Sequence, residues 1–159
     1  MTAGGGSFSH VDEHGAAQMV DVSGKDVSVR TATAVGRVDL SAECVALLRG
    51  EGVPKGDVLA VARVAGIMGA KRTADLVPLC HPIALHGVIV DLVVDDDGVA
   101  VTATARTADR TGVEMEALTA VTVACLTVVD MTKAVDPRSA IGGIAVLTKT
   151  GGKTGSWER

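Results

Sequence analysis

Several residues of this chain could carry out acid–base chemistry. His81 lies between Pro78 and Pro82 in PLCHP, a stiff loop that would fix the position of an imidazole able to exchange protons near neutral pH. Glu114 and Glu116 stand in TGVEMEAL, at the start of a predicted helix, where carboxylates also interact favourably with the helix dipole. A purely structural loop and a purely electrostatic role at the helix end are the alternatives for these three residues.

The lysines are candidates for both catalysis and anion binding. Asp130 and Lys133 stand three residues apart in VVDMTKA on an otherwise apolar helix, and a surface ion pair is the alternative explanation. Lys55, Lys149 and Lys153 flank glycine-rich turns, which suit phosphate contacts but also ordinary solvated turns. None of these residues identifies a function by itself.

Two short motifs resemble known sites but stand in the wrong context. HVDEH at residues 10–14 matches a zinc-protease pattern, yet it lies in a Gly/Ser-rich stretch without the apolar face of a helix, so we expect no metal site. GGKT at residues 151–154 resembles the end of a P-loop, but Leu147 replaces the first glycine and no helix-length segment follows. Backbone amides together with Lys149 and Lys153 could still hold a phosphate.

Composition indicates one globular domain and narrows the function. The 159 residues are 47% hydrophobic, with one Phe, one Trp and no Tyr, so exposed aromatic rings for stacking nucleic acid bases are lacking. A net charge of −4 would repel a polyanion, so an anionic ligand needs a local basic cluster. Three cysteines without a CxxC spacing favour a reducing compartment.

The sequence also predicts where the protein resides. MTAGGGSFSHVDEHG has neither the basic start nor the apolar core of a signal peptide. The longest apolar stretch, residues 117–129, falls short of the roughly 20 residues that span a bilayer. We therefore expect a cytoplasmic protein that binds neither membrane nor nucleic acid.

The domain organisation is simple. We expect residues 1–16 to be a flexible lead-in and residues 17–159 to form a single catalytic domain.

The first half of the domain reads as one strand and two helices. Period-2 alternation in VSVRTATAVGRVDL, starting at Val27, predicts a strand. Ser41 is the predicted N-cap of a short helix that ends at Gly50 and Gly52. Pro54 opens a longer, Ala- and Gly-rich helix that stops before the proline of PLCHP and could approach a neighbouring element closely.

The second half reads as a hairpin, a helix and a strand. VIVDLVV and VAVTATA flank the turn DDDG, a third helix is predicted from about Gly112 to Val135, and IAVLTKT forms the last strand. This order predicts an α+β fold with a ferredoxin-like βαββαβ antiparallel sheet and an additional helix. Leu118, Leu126 and Val129 lie opposite the apolar stripe of the third helix, which predicts burial against a second subunit and hence a homo-oligomer.

Long stretches of the chain resemble one known family. KGDVLAVARVAGIMGAKRTADLVPLCHPI, TGVEMEALTAVTVACLTVVDMTKAV and LTKTGGKTG are closely similar to the MoaC family, the cyclic pyranopterin monophosphate synthases of molybdenum cofactor biosynthesis. QMVDVSGK, from Gln18 to Lys25, nearly matches the family's lead motif HMVDVS. The resemblance covers nearly everything from Met19 to Gly155.

The resemblance implies both a reaction and a set of site residues. Family members convert 3',8-cyclo-7,8-dihydroguanosine 5'-triphosphate into cyclic pyranopterin monophosphate with release of pyrophosphate and no redox change. The implied catalytic residues are Lys55, His81, Glu114, Glu116, Asp130 and Lys133. The implied substrate-binding residues are Arg30, Leu79, Cys80, His81, Met115, Glu116, Lys149 and Lys153, of which the basic ones would hold the triphosphate.

The resemblance further implies a homohexamer built as a trimer of dimers and a radical SAM enzyme upstream that supplies the substrate. No metal or cofactor is implied, although a divalent cation could accompany the triphosphate. The main alternative is a non-catalytic nucleotide-binding module with a regulatory role, because ferredoxin-like oligomers often bind ligands between subunits. A different phosphoester-cleaving or cyclising enzyme is a third reading.

Helix geometry adds one expectation about the site. Glu116 and Asp130 are 14 residues apart on one predicted helix, about 21 Å at a rise of 1.5 Å per residue. Both cannot reach one small reacting centre from the same chain. We therefore expect a composite site, in which the end of the helix bearing Glu114 and Glu116 meets the end bearing Asp130 and Lys133 from another subunit.

Overall fold

The computed structural model describes residues 8–50, 58–153 and 155–159 of the chain. The predicted helix start at Pro54 and the candidate catalytic residue Lys55 lie outside the described residues. The elements, in chain order, are β1 (Ser28–Asp39), α1 (Ala42–Leu48), α2 (Val58–Ala70), α3 (Thr73–Leu76), β2 (Gly87–Val94), β3 (Gly98–Asp109), α4 (Glu114–Thr132), β4 (Ala140–Thr150) and β5 (Trp157–Glu158).

The strands form one antiparallel sheet in the order β2-β3-β1-β4-β5. Its first four strands have the arrangement expected of a ferredoxin-like βαββαβ fold, so the predicted fold class is confirmed. The short strand β5 was not predicted. It pairs Glu158 and Trp157 with Thr148 and Lys149 at the end of β4, and it thereby extends the sheet beside the glycine-rich turn.

Small residues let the helices approach the sheet and each other closely. On the buried face of β1, a Cβ at Gly36 would lie 2.5 Å from Val121 Cγ1 of α4. On α2, a Cβ at Gly66 would lie 2.9 Å from the carbonyl oxygen of Ala120, and a Cβ at Gly69 would lie 2.8 Å from a Val123 methyl. The close approach expected of the Ala- and Gly-rich helix is thus confirmed, and its neighbour is α4.

The long helix predicted from Pro54 to the residue before Pro78 is interrupted, so that part of the prediction is wrong. Arg72 has φ −108° and ψ 10°, outside the helical range, and it separates α2 from α3. Thr73 then turns inward, is 1% exposed, and donates its hydroxyl to the Ala70 carbonyl at 2.9 Å. A continuous helix would use that carbonyl for a backbone amide, and the side-chain bond replaces it.

Helix α4 is the central helix of the domain. It packs across β1, β3 and β4 and against α2, and it buries mainly small side chains such as Ala117, Ala120 and Ala124. Among the described helices it alone is long and apolar enough to cross a membrane, a property that the core helix of a soluble protein shares. Its position on the sheet explains its composition, because both its sheet face and its α2 face need apolar residues.

Candidate active site

A cleft of about 440 Å³ opens beside the start of α4. Its walls are the first turn of α4, the loop after α3, the start of β1, and the ends of β3 and β4 with the turns that follow them. Nine of the residues singled out from the sequence line this one cleft: Arg30, Leu79, Cys80, His81, Glu114, Met115, Glu116, Lys149 and Lys153. Residues from four separate segments of the chain therefore converge there.

Sheet register places two of the basic residues on the same side of the sheet as α4. Lys149 of β4 stands opposite Ala32 of β1, and Arg30 lies two residues before Ala32, on the same face of the strand. Lys149 Nζ lies 2.9 Å from Glu114 Oε1, and neither side chain is more than about a quarter exposed. This ion pair links the end of the sheet to the first turn of α4.

The glycine-rich turn after β4 lies against the guanidinium of Arg30. Gly152 has φ +79°, and a Cβ there would lie 2.2 Å from Arg30 Nη1. Arg30 is 7% exposed, and its Nε donates to the Asp109 carbonyl oxygen at 2.9 Å. Glycine at position 152 is therefore needed for two reasons: it tolerates the positive φ, and it lets the turn pass close to the Arg30 guanidinium, which the Asp109 carbonyl holds in place.

The structure adds cleft residues that were not among the site residues predicted from the sequence. Lys25, Arg110 and His10 also line the cleft, and Arg110 Nε donates to the Lys25 carbonyl oxygen at 2.9 Å. Lys25 stands in the QMVDVSGK segment, and the match of this segment to the family could have identified Lys25 as a site residue. Nothing in the local sequence marked Arg110, whose place is set by the end of β3.

The charge balance of the cleft favours an anionic ligand. Its described lining contains five basic side chains, Lys25, Arg30, Arg110, Lys149 and Lys153, against the two carboxylates of Glu114 and Glu116. The whole chain is acidic, with a net charge of −4. A local excess of positive charge on an acidic protein indicates a site built for several negative charges on one ligand.

Glu116 is a buried carboxyl group in the wall of the cleft. It is 4% exposed, and its Oε2 atom has no hydrogen-bond partner among the described residues. Burial, reinforced by the nearby charge of Glu114, raises the pKa of Glu116 to about 7. A carboxyl with this pKa is partly protonated at neutral pH, so it can both donate and accept a proton.

His81 and Cys80 occupy the loop between α3 and β2. His81 Nε2 lies 2.7 Å from the Val20 carbonyl oxygen, which can only accept, so Nε2 carries a hydrogen and Nδ1 of the neutral ring holds the lone pair. Burial, and to a lesser extent the charge of Glu116, raises the pKa of the Cys80 thiol. A raised pKa disfavours the thiolate, so Cys80 is suited to contact a ligand and not to act as a nucleophile.

Asp130 and Lys133 do not line the cleft. They form an exposed ion pair, with Lys133 Nζ 2.6 Å from Asp130 Oδ1, at the opposite end of α4 from Glu116. Within residues 8–50, 58–153 and 155–159, no group of three His, Cys, Asp or Glu side chains could hold a metal ion. HVDEH lies in a turn closed by the Val11–Ala17 bridge.

Comparison with known proteins gives a consistent match over nearly the whole chain. The sequence model of the MoaC family matches residues 19–152. The "Cyclic pyranopterin monophosphate synthase" of Streptomyces coelicolor is 68% identical over 152 residues, which cover 96% of this chain and 89% of the relative. The protein of the same name from a Nocardioides species is 68% identical over 155 residues, covering 96% and 95%. "Cyclic pyranopterin monophosphate synthase 2" of Mycobacterium tuberculosis is 59% identical over 154 residues, covering 97% and 92%.

Proposed function

The chain belongs to the MoaC family, and we propose that it is a cyclic pyranopterin monophosphate synthase of molybdenum cofactor biosynthesis. In this reaction 3',8-cyclo-7,8-dihydroguanosine 5'-triphosphate yields cyclic pyranopterin monophosphate and pyrophosphate. The observation that carries the proposal is the cleft itself, where a cluster of cations adjoins a buried carboxyl and a histidine. The cations suit a triphosphate, and the carboxyl and the histidine suit proton transfer.

The basic cluster would bind the triphosphate. Arg30 and Lys149 are the best placed, because each is fixed by a contact to the fold and neither needs to be ordered on binding. Lys153, Lys25 and Arg110 would complete the cradle. When the ribose-derived hydroxyl attacks the α-phosphorus, a P–O bond forms and the bond to pyrophosphate breaks. The cations would stabilise the negative charge on the departing pyrophosphate.

Glu116 and His81 would exchange protons with the ring system. Opening the purine-derived ring, closing the pterin and removing the proton of the attacking hydroxyl each need an acid or a base within hydrogen-bond distance. Glu116 has the raised pKa, and His81 has a neutral tautomer whose Nδ1 can accept a proton. Glu114 would act through its ion pair with Lys149, which holds both groups at the cleft.

We further propose that Asp130 and Lys133 complete the site from another subunit of a homohexamer, with Lys55 as a further catalytic lysine. Two features support this arrangement: their distance from the cleft along α4, and exposed apolar side chains such as Leu126, which is 58% exposed. Mixing inactive Glu116→Ala and Lys133→Ala chains tests it. Recovery of activity in hybrids is expected, and hybrids that stay inactive while assembling normally would contradict it.

Turnover of the cyclic dihydroguanosine triphosphate tests the function itself. The purified chain should release pyrophosphate and yield a product that becomes a fluorescent pterin on oxidation. Binding without turnover would favour the regulatory module instead. If a divalent cation accompanies the triphosphate, its chelation should weaken substrate binding. We place the enzyme in the cytoplasm, downstream of a radical SAM enzyme that supplies its substrate.

A further inference from the structure

A second, smaller cavity lies behind the catalytic cleft. It measures about 130 Å³ and is lined by residues of α3 and of the loop that follows it, including Thr73, Ala74 and Asp75. Glu116 and His81 line this cavity as well as the cleft, so these two side chains form part of the wall between the two spaces. Lys71 and Asp75 are exposed, which places the outer side of the cavity at the protein surface.

The carboxyl of Glu116 needs a polar partner that the described residues do not supply. Its Oε2 is buried and unpartnered, and leaving such an atom unsatisfied costs about 1–3 kcal/mol. The small cavity has the size and the lining to provide one, since a water molecule takes up about 30 Å³ in the liquid and requires 2–4 polar contacts. Besides Glu116, the polar residues Thr73 and Asp75 line it.

We propose that this cavity holds ordered water and is the route by which Glu116 exchanges its proton with solvent while substrate fills the cleft. The role in turnover rests on the proposed function, whereas the presence of water does not. When Glu116 passes its proton to the substrate, the water molecule beside Oε2 donates a replacement proton to the carboxylate. That water molecule then regains a proton from bulk solvent through the other water molecules of the cavity, which opens to the surface beside Lys71 and Asp75. The reverse sequence applies when Glu116 accepts a proton, and no electrons are transferred.

The charged groups around Glu116 are compatible with this role. Glu114 on the same helix opposes its ionisation, and Cys80 and His81 face it from the loop after α3. Arg30 and Lys149 line the cleft on one side, and Lys71 and Asp75 line the small cavity on the other. A bound triphosphate would occupy the cations of the cleft and close that side to solvent. The small cavity would then be the side that remains open.

The first test needs no turnover. A high-resolution crystal structure of the full chain should show ordered water within about 3.2 Å of Glu116 Oε2 on the side of the small cavity. A dry cavity would overturn the proposal, even if the enzyme proves fully active. This separates failure of the inference from failure of the proposed function.

The second test fills the cavity and follows Glu116. Ala74→Leu places three more carbon atoms in the cavity without changing Glu116 or His81. Displacing the water should raise the pKa of Glu116 above its present value of about 7, as measured by NMR with labelled glutamate. In turnover, kcat should fall by up to about 100-fold, which is within the range that acid–base catalysis contributes. The solvent deuterium isotope effect on kcat should be larger than that of the unmodified chain.

Two control variants distinguish loss of the route from loss of packing. Ala65→Leu makes the same change at another half-buried alanine, which lines an outer groove of α2 and neither of the two spaces around Glu116. Ala74→Ser keeps the cavity open and adds a hydroxyl that can hydrogen-bond to water. Both should retain the pKa of Glu116 and the isotope effect of the unmodified chain. If Ala74→Leu matches Ala65→Leu in both measurements, the route does not exist.

Discussion

Replacing Glu116 by glutamine should make the protein more stable at alkaline pH. Burial raises the pKa of this carboxyl to about 7, against 4.5 for an unburied glutamate. The folded state therefore binds its proton more tightly than the unfolded state, and ionising the folded form costs about 3 kcal/mol by linkage. Glutamine is close in shape and carries no charge at any pH. It removes this cost and leaves the packing of α4 nearly unchanged.

The direction of the pH effect follows from the raised pKa. Below about pH 4.5 Glu116 is protonated in both the folded and the unfolded states, so it imposes no penalty. Between about pH 4.5 and pH 7 the unfolded chain ionises while the folded chain does not, and the free energy of unfolding falls as pH rises. Above about pH 7 the full penalty is present. The stability of Glu116→Gln relative to the unmodified chain should thus increase across this window by up to about 3 kcal/mol.

Denaturant unfolding of both chains at pH 4.5 and at pH 8 measures how the difference in unfolding free energy between Glu116→Gln and the unmodified chain changes with pH. Comparing each variant with the unmodified chain at the same pH cancels the titration of all other groups. Glu43→Gln, at an exposed position in the first turn of α1, is the matched control and should show no comparable change between the two pH values. If the stability difference for Glu116→Gln is the same at both pH values, the carboxyl is not the desolvated group described above.

Four further substitutions test the anion site and the packing. Gly152→Ala and Gly155→Ala should each cost about 1 kcal/mol, because both residues have positive φ (+79° and +69°), but only the first displaces Arg30. Isothermal titration with inorganic triphosphate should therefore show about 10–100-fold weaker binding for Gly152→Ala alone. Lys149→Gln should weaken the same binding by a similar factor, with a smaller dependence on salt. Gly36→Ala should lower stability by about 1–3 kcal/mol in thermal unfolding, since its Cβ would overlap a side chain of α4.

The arrangement of the sheet could be predicted from the sequence because its signals are local. Alternation in β1, the DDDG turn between β2 and β3, and the cap at Ser41 each act within a few residues. Once the order of elements is known, few antiparallel arrangements are compatible with it. The break at Arg72 escaped prediction because it depends on a buried hydroxyl bond between Thr73 and Ala70, and burial is a property of the assembled fold.

The site shows the same division between local and long-range information. Residue types and family motifs identified the nine side chains that meet in the cleft, but Arg110 escaped because only the end of β3 brings it there. Glu114 and Glu116 look equivalent in the sequence. On a helix, residues two apart point in nearly opposite directions, and the fold decides that Glu114 meets Lys149 while Glu116 turns into the protein.

The difference between these two carboxylates is the strongest indication that the cleft performs chemistry. The start of a helix stabilises negative charge, and Glu114 uses this position together with an ion pair. Glu116 stands in the same turn, yet burial outweighs the helix dipole, and one of its oxygens has no hydrogen-bond partner among the described residues. An amide or an apolar side chain would stabilise the fold better there. A carboxyl that weakens the fold and titrates near neutral pH is suited to proton transfer, which the proposed reaction requires at several steps.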